Sequence, residues 1–399
     1  MRLTTFGFLC ATALLALAVP LTAQGAKHPT YTVIDLGVLD GLDRSSVAYD
    51  INDAGWVAGG SGALLPPGPQ HAFLWFGHGP LLDLGTLGGP NSEAGGPNLS
   101  SEAAIISETS VNDLNAEDFC GFGDHLQCLA AVWKRGKLIA LPALRGGNNS
   151  QAYGINNSGQ IIGFSETGVV DPTCSTGMPF QVLRYEATIW EPDGRPRKLR
   201  PLHGDTVGFG FGINNKGQAV GASGLCSNVS LPPNHQPNGP HSVFWDADGT
   251  PLNLVGLPGA STTIASSISD RGEVVGNSQF PDGTVRPFRW TRKEGIEDLG
   301  SFPGAVLTVA PCCNSVNNRG EVAGFWFDAA FNMHPFIWQN SVFTDPNTLL
   351  PAGSPWQLLQ VASLNDSGEI VGQGVINGES HAFVAIPCDG EHRHFKCCK

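Results

Sequence analysis

Apolar positions in this chain fall in short runs, each closed by Asn, Asp or Gly, and no stretch beyond the extreme N-terminus spaces them as a helix would. The runs recur as a set. The phrase Ile-Asn-x-x-Gly-x-x-x-Gly, or a close relative, stands at 51–59, 155–163, 213–221, 268–276, 316–324 and 364–372, with a degenerate copy carrying two extra residues at 111–121. The starts are 60, 44, 58, 55, 48 and 48 residues apart. Short strands at such a period predict the blades of a β-propeller.

Three more phrases keep step with the first. A strand ending in Trp follows, at 71–75, 129–133, 186–190, 241–245, 286–290 and 334–338; the seventh copy, 381–385, ends in Ala385. An Asp-Leu-Gly-like strand comes next, at 82–85, 138–141, 198–202, 252–255, 297–300 and 347–350. A Gly-rich link then leads to a Ser/Ala-rich strand before the next Asn. Each repeat therefore predicts four strands, with Asn/Asp-x-x-Gly as a tight turn between the first two. Asn bonds its own backbone two residues on, and Gly accepts positive φ without a steric cost.

The seventh repeat ends at Pro387 without its Asp-Leu-Gly strand, and the missing copy stands at the other end of the chain, at 31–37. The expected fold is all-β: a seven-bladed propeller of four-stranded blades over 31–387, its ring closed by the N-terminal strand completing the last blade. The Ser/Ala strand is then innermost. An open β-solenoid is the alternative, but it gives the split repeat no purpose. The long loops 60–70, 164–185 and 222–240 and the link 86–102 fall on one face, opposite the short turns, and that face is expected to carry function.

Composition narrows the class. Gly (52) and Pro (29) make up about a fifth of the 399 residues, which in a periodic chain means turns rather than disorder. The net charge is −13 and the pI about 5.2, a poor match for nucleic acid or an anionic membrane surface. Residues 1–23 read as a signal peptide: Arg2, an apolar run over 6–19, then small residues at Thr22 and Ala23. Cleavage after Ala23 is favoured over Ala26, leaving a linker at 24–30, and the run is short for a membrane anchor. The expected address is extracellular or periplasmic, with no membrane span after cleavage.

Loss of Cys10 leaves nine cysteines, an odd number. Candidate disulfides are Cys120 with Cys128, Cys174 with Cys226 between neighbouring repeats, and Cys388 with Cys397 or Cys398. Cys312 and Cys313 are adjacent, and spacing alone does not decide their partners.

These phrases resemble the HAF repeat family, named for a His-Ala-Phe triplet that stands here as His71-Ala72-Phe73 and His381-Ala382-Phe383. The associated Asp-Leu-Gly-Thr-Leu-Gly-Gly is intact at 83–89, and the resemblance covers about 31–387. It implies a bacterial extracellular repeat protein and carries no catalytic residues. The repeat at 111–121 departs from it, with Asn115, Ala116, Glu117 and Asp118 in place of the Gly turn.

Candidate chemistry is sparse. His71, His241, His334 and His381 recur one to a blade, so they predict structural hydrogen bonds rather than a metal centre. The recurring Trp predicts packing between blades, with a ring of sugar platforms as the alternative. Asp246-Ala247-Asp248-Gly249 lacks the spaced ligands of a calcium loop and reads as a hairpin turn. The tail 388–399 mixes Cys and His at poor metal-ligand spacing. Phe325, Trp326 and Phe327 start another loop on the long-loop face and read as a sticky patch or strand packing. No Gly-x-Ser-x-Gly, Walker loop or His-Glu-x-x-His is present. The expectation is a binding scaffold without cofactor or metal, taking a glycan, an envelope component or a protein. The alternatives are a self-associating envelope protein and a glycoside hydrolase or polysaccharide lyase. For such an enzyme the carboxylates to test are Glu102, Asp118, Asp171 and Asp205.

Overall fold

The computed structural model describes residues 29–42, 45–63, 68–174, 181–228, 240–312 and 314–389. The expected signal peptide at 1–23 and the tail from 390 on, with Cys397 and Cys398, lie outside them. The described chain is built of antiparallel four-stranded units. The third unit runs Ser150–Ile155, Ile161–Val170, Leu183–Trp190 and Pro196–Lys198, hydrogen-bonded in that order. Three such units form separate sheets, and two eight-stranded sheets each hold two more units joined by one parallel bridge, Gln70 to Asn91 and Val285 to Leu307.

The terminal exchange is present. Tyr31–Gly37 lies antiparallel to Glu379–Pro387, with Tyr31 opposite Pro387 and Asp35 opposite Phe383, and forms the outer edge of the last sheet. The Tyr31 hydroxyl donates to the Gly368 carbonyl in the seventh unit's turn. Both described ends of the chain therefore leave from the short-turn face.

In six of the seven units the first strand shifts register two residues before its turn, as between Ala48 and Asp50 or Gly210 and Gly212. This bulge explains the repeated Gly-x-x-x-Gly. The first glycine, such as Gly159 at φ +80, takes the left-handed turn. The second, such as Gly221, sits where a Cβ would strike the Phe209 carbonyl of the bulged strand.

Packing between units follows a rule written in two of the phrases. The Leu of each outer strand shares a buried cluster with the Trp of the next unit: Leu36 with Trp75, Leu84 with Trp133, Leu141 with Trp190, Leu199 with Trp245, Leu254 with Trp290 and Leu299 with Trp338. At the seventh unit, which lacks the Trp, Leu349 and Leu350 meet Phe383 and Ala385 while Trp356 stands edge-on to Phe383. Trp190 and Trp245 also donate to the carbonyls of Pro142 and Arg200 in the preceding unit's link. Burial of five of these indoles overturns the sugar-platform alternative for Trp75, Trp190, Trp245, Trp290 and Trp338.

Three segments differ from expectation. The second unit's turn is Asn98–Glu102 in place of 111–121. Its first strand is Gly88–Pro97 and its second Ala103–Asn112, so 86–102 is no long link. Ser101, at φ 59, stands where the other turns have glycine, which hid the repeat. The sixth unit's outer strand is Val342–Thr344, because Asp345 caps a short 3-10 turn, Pro346–Leu349, over the residues expected to extend. Phe325, Trp326 and Phe327 complete strand Val322–Phe327, where Trp326 stacks on Phe302 and His334.

Candidate functional site

The two faces differ in construction. On the short-turn face the turns of all seven units line one cavity of about 100 Å³. Each turn Asn bonds in two directions. The Asn156 Oδ1 accepts from the backbone N–H of Ser158 and Gln160, closing its own turn, while its Nδ2 donates to the Asn214 carbonyl of the next unit. The same step runs from Asn52 to Asn98, Asn98 to Asn156, Asn214 to Ser269, Asn317 to Asn365, and Asn365 back to Asn52. A second tier follows one residue on: Asn157 N–H donates to Asn215, Asn215 to Asp270, Asn318 to Asp366 and Asp366 to Asp53. Just inside, Asp50 is buried and accepts from Asn314 and Ser363 of the last two units. Burial pushes its carboxyl up to about 7, against the hydrogen bonds it accepts. These polar atoms are engaged with one another, so the face is a clasp between units.

The long-loop face is built by the second to fourth units. The second strands of the second and third units, Ala103–Asn112 and Ile161–Val170, run ten residues each, against six for Ala219–Gly224 in the fourth. They carry the loops above the sheets. A disulfide joins Cys120 to Cys128 within the second unit's loop, and Cys174 to Cys226 ties the third unit's loop to the fourth's. Beneath them Phe119, Tyr153, Phe164, Tyr185, Phe209 and Phe211 form one aromatic core with both disulfides. The Cys388 Sγ lies 3.5 Å from Thr32 Oγ1.

A buried acidic layer underlies these loops. Asp113 accepts from the backbone N–H of Asn115 and Glu117 and from the side-chain amides of Asn148 and Asn149. Glu117 accepts from the Val182 N–H at 2.6 Å, reaching from the second unit's loop to the third's. Glu166 accepts from the N–H of Asn148 and Asn149 and from Gln181, and is in hydrogen-bond contact with Glu117. Burial, then the neighbouring Glu166, pushes Glu117 up to about 9. Glu108 fills the second unit's position equivalent to Glu166; burial pushes it up to about 7, and its Oε1 has no hydrogen-bond partner. The signal for this layer was the Ser-Glu-Thr shared by 107–109 and 165–167.

The four carboxylates singled out from sequence are not gathered into a site. Glu102 was expected near the long-loop face; it lies in the short turn of the second unit, accepting from Asn98. Asp118 accepts from the Gly123 N–H within its own loop. Asp171 is held below the usual carboxylate range: burial opposes this, but Thr173 and Arg184 donate to it. Asp205 accepts from Ser223 and pairs with His241. The acid pair that does form, Glu117 with Glu166, is closed to substrate. Each recurring His has its own carboxylate: His71 with Asp83, His241 with Asp205, His334 with Asp328 and His381 with Asp35. Among the described residues no three His, Cys, Asp or Glu side chains are placed to hold a metal, and no helix is long and apolar enough to cross a membrane.

Above the acidic layer the loops present aliphatic side chains. Leu114 is 80% exposed; Val111, Val169 and Val170, at the ends of the second and third units' second strands, and Leu225 in the fourth unit's loop are exposed too.

No protein-family model and no curated protein matches the chain. Among solved structures it is similar to virginiamycin B lyase from Staphylococcus aureus, at 10% identity over 89% of this chain and 99% of that one, with a TM-score of 0.51. It is similar to a puromycin hydrolase at 13% identity and a TM-score of 0.52, over 92% of this chain and 52% of the hydrolase. The propeller domain of the Trilobed protease from Pyrococcus furiosus matches at 10% identity and a TM-score of 0.45, over 86% and 95%. The structural neighbours are β-propeller proteins, and the chain has a propeller fold. At these identities the likeness extends to fold alone.

Proposed function

We propose that this chain is an exported seven-bladed propeller of the HAF repeat kind, closed by exchange between its termini, that acts as a non-enzymatic binding scaffold for a protein partner. The Asn bond returning from Asn365 to Asn52 and the pairing of Tyr31–Gly37 with Glu379–Pro387 support closure. Two disulfides fit an oxidising compartment.

The observation that carries the binding reading is the set of exposed aliphatic residues on the face of the second to fourth units, Leu114 foremost, where one disulfide closes the second unit's loop and another ties the third's to the fourth's. Apolar groups held out by a rigid, disulfide-tied layer mark an interaction surface. A protein fits it better than a glycan, because among the described residues the large exposed hydrophobic side chains there are aliphatic and offer no stacking ring.

The test compares the mature chain from residue 24 with a Leu114→Asp/Val170→Asp variant on arrays of envelope proteins, glycans and cell-wall polymers. Bound polymers are also assayed for breakdown. Protein binding weakened at least about tenfold in the variant supports the reading. Binding that the variant keeps, or breakdown of a polymer, overturns it.

A further inference from the structure

We propose that Glu117 and Glu166 share one proton, and that this proton fastens the second unit's long loop to the third unit, so the face tightens in acid and loosens as pH rises. The inference adds regulation to the binding face described above, and its measurements involve no partner.

The geometry sets which carboxyl holds the charge. Glu166 accepts two backbone N–H groups and an amide from Gln181, which satisfies an anion. Glu117 accepts one N–H at 2.6 Å and a longer contact from Asn149 at 3.3 Å. Both are buried, at 2% and 0% exposure. Two anions in contact at such a site repel strongly, so one oxygen carries hydrogen and donates to the other. The groups around them do not supply a counter-charge. Asp113 belongs to the same loop and its carboxylate is bound to the Asn148 and Asn149 amides. Asp118, Asp124 and His125 follow in that loop, and the His125 Nδ1 pairs with the Ala116 carbonyl. Arg145 precedes the third unit, Glu108 lies in the second, and Arg184 is committed to Asp171. Among the described residues no cation forms an ion pair with Glu117 or Glu166.

The sign follows from linkage. The folded loop holds a proton on Glu117 up to about 9, whereas a released glutamate loses it near 4.5. The closed state therefore binds more protons across that window, and its advantage is full below about 4.5 and falls as pH rises toward about 9. The Val182 N–H, donated directly to Glu117, reports the latch.

Hydrogen exchange on the full mature chain, corrected for intrinsic rates, reads the opening of Val182 and 114–119 between about pH 5 and 8. The expected opening constant rises by up to about tenfold per pH unit. In Glu117→Gln, which keeps a donor and cannot ionise, the slope disappears. A flat native profile, or the same slope in the variant, overturns the proposal. Should that variant fail to fold, infrared difference spectra of the native chain still decide. Burial also holds protons on Asp50 and Glu108 into the neutral range, so the latch is read as a protonated-carboxyl band lost in step with the rise of Val182 exchange; that band supports the latch and its absence overturns it.

Discussion

The two faces of this molecule are held by opposite kinds of bond. The short-turn face repeats one device around the chain: an Asn closes its own turn and reaches the next unit's carbonyl. The long-loop face uses bonds that occur once each: two disulfides, a shared-proton carboxyl pair and an aromatic core confined to the second to fourth units. Repetition spreads stability as a sum of similar seams between neighbours. A set of unique bonds concentrates it, and fixes particular side chains in place. The first pattern is what a scaffold requires, and the second is what a specific surface requires. The comparison predicts that damage to the repeat costs folding everywhere, while damage to the loops costs local order and binding.

The largest expected effect is removal of Tyr31–Gly37. The strand covers the edge of Glu379–Pro387, and its Leu36 packs with Trp75 of the first unit while Tyr31 is buried in the seventh. Without it the first and seventh units both lose contacts, and a single cooperative transition should give way to broad, early unfolding. A truncated chain that melts like the mature protein would refute closure by strand exchange.

Next is the loop layer. Cys174 and Cys226 lie 52 residues apart in sequence, and the double Cys174→Ser/Cys226→Ser change should cost about 2–4 kcal/mol. The comparison requires the loss to be local. Exchange should accelerate in the loops of the third and fourth units, with the Trp seams of the fifth to seventh protected as before. Equal acceleration in both halves would mean that the loops support the whole ring.

This division also explains how far the sequence could be read. Strand order, the terminal exchange and the inter-unit Trp all follow from phrases that repeat, because near-equivalent environments select the same residue in unit after unit. The second turn was misplaced because Ser101 adopts a left-handed φ where a glycine was sought. The sixth outer strand was misplaced because Asp345 caps the residues after it. The acidic layer was missed for a different reason. Glu117 meets Glu166 and Val182 across two units, and nothing in the spacing of 117, 166 and 182 announces it. Four exposed or individually partnered acids drew attention instead, since a sequence shows where carboxylates are but not which of them lose water.

The smallest predicted effect tests the repeated device most directly. The turn of the fifth unit has Ser269 where five others have Asn and the second has Asn98. Its hydroxyl accepts from the Glu273 N–H at 3.4 Å, but it has no amide to send to the sixth unit. On this face the outer tier still reaches the sixth unit, through the Arg271 N–H to Asn318. In the sixth and seventh turns Glu321 and Glu369 accept the turn Asn amide, whereas Glu273 meets Arg289 at 3.0 Å. Ser269→Asn would supply both a donor for Glu273 and one for the Asn317 carbonyl. If the side-chain amide holds the units together, the change should stabilise the protein by about 0.5–1.5 kcal/mol, raising the denaturant midpoint at constant m. If the midpoint falls or stays put, the backbone geometry of the turns sets the seam and the Asn bonds merely follow it, which would remove the short-turn face as the source of stability in the comparison.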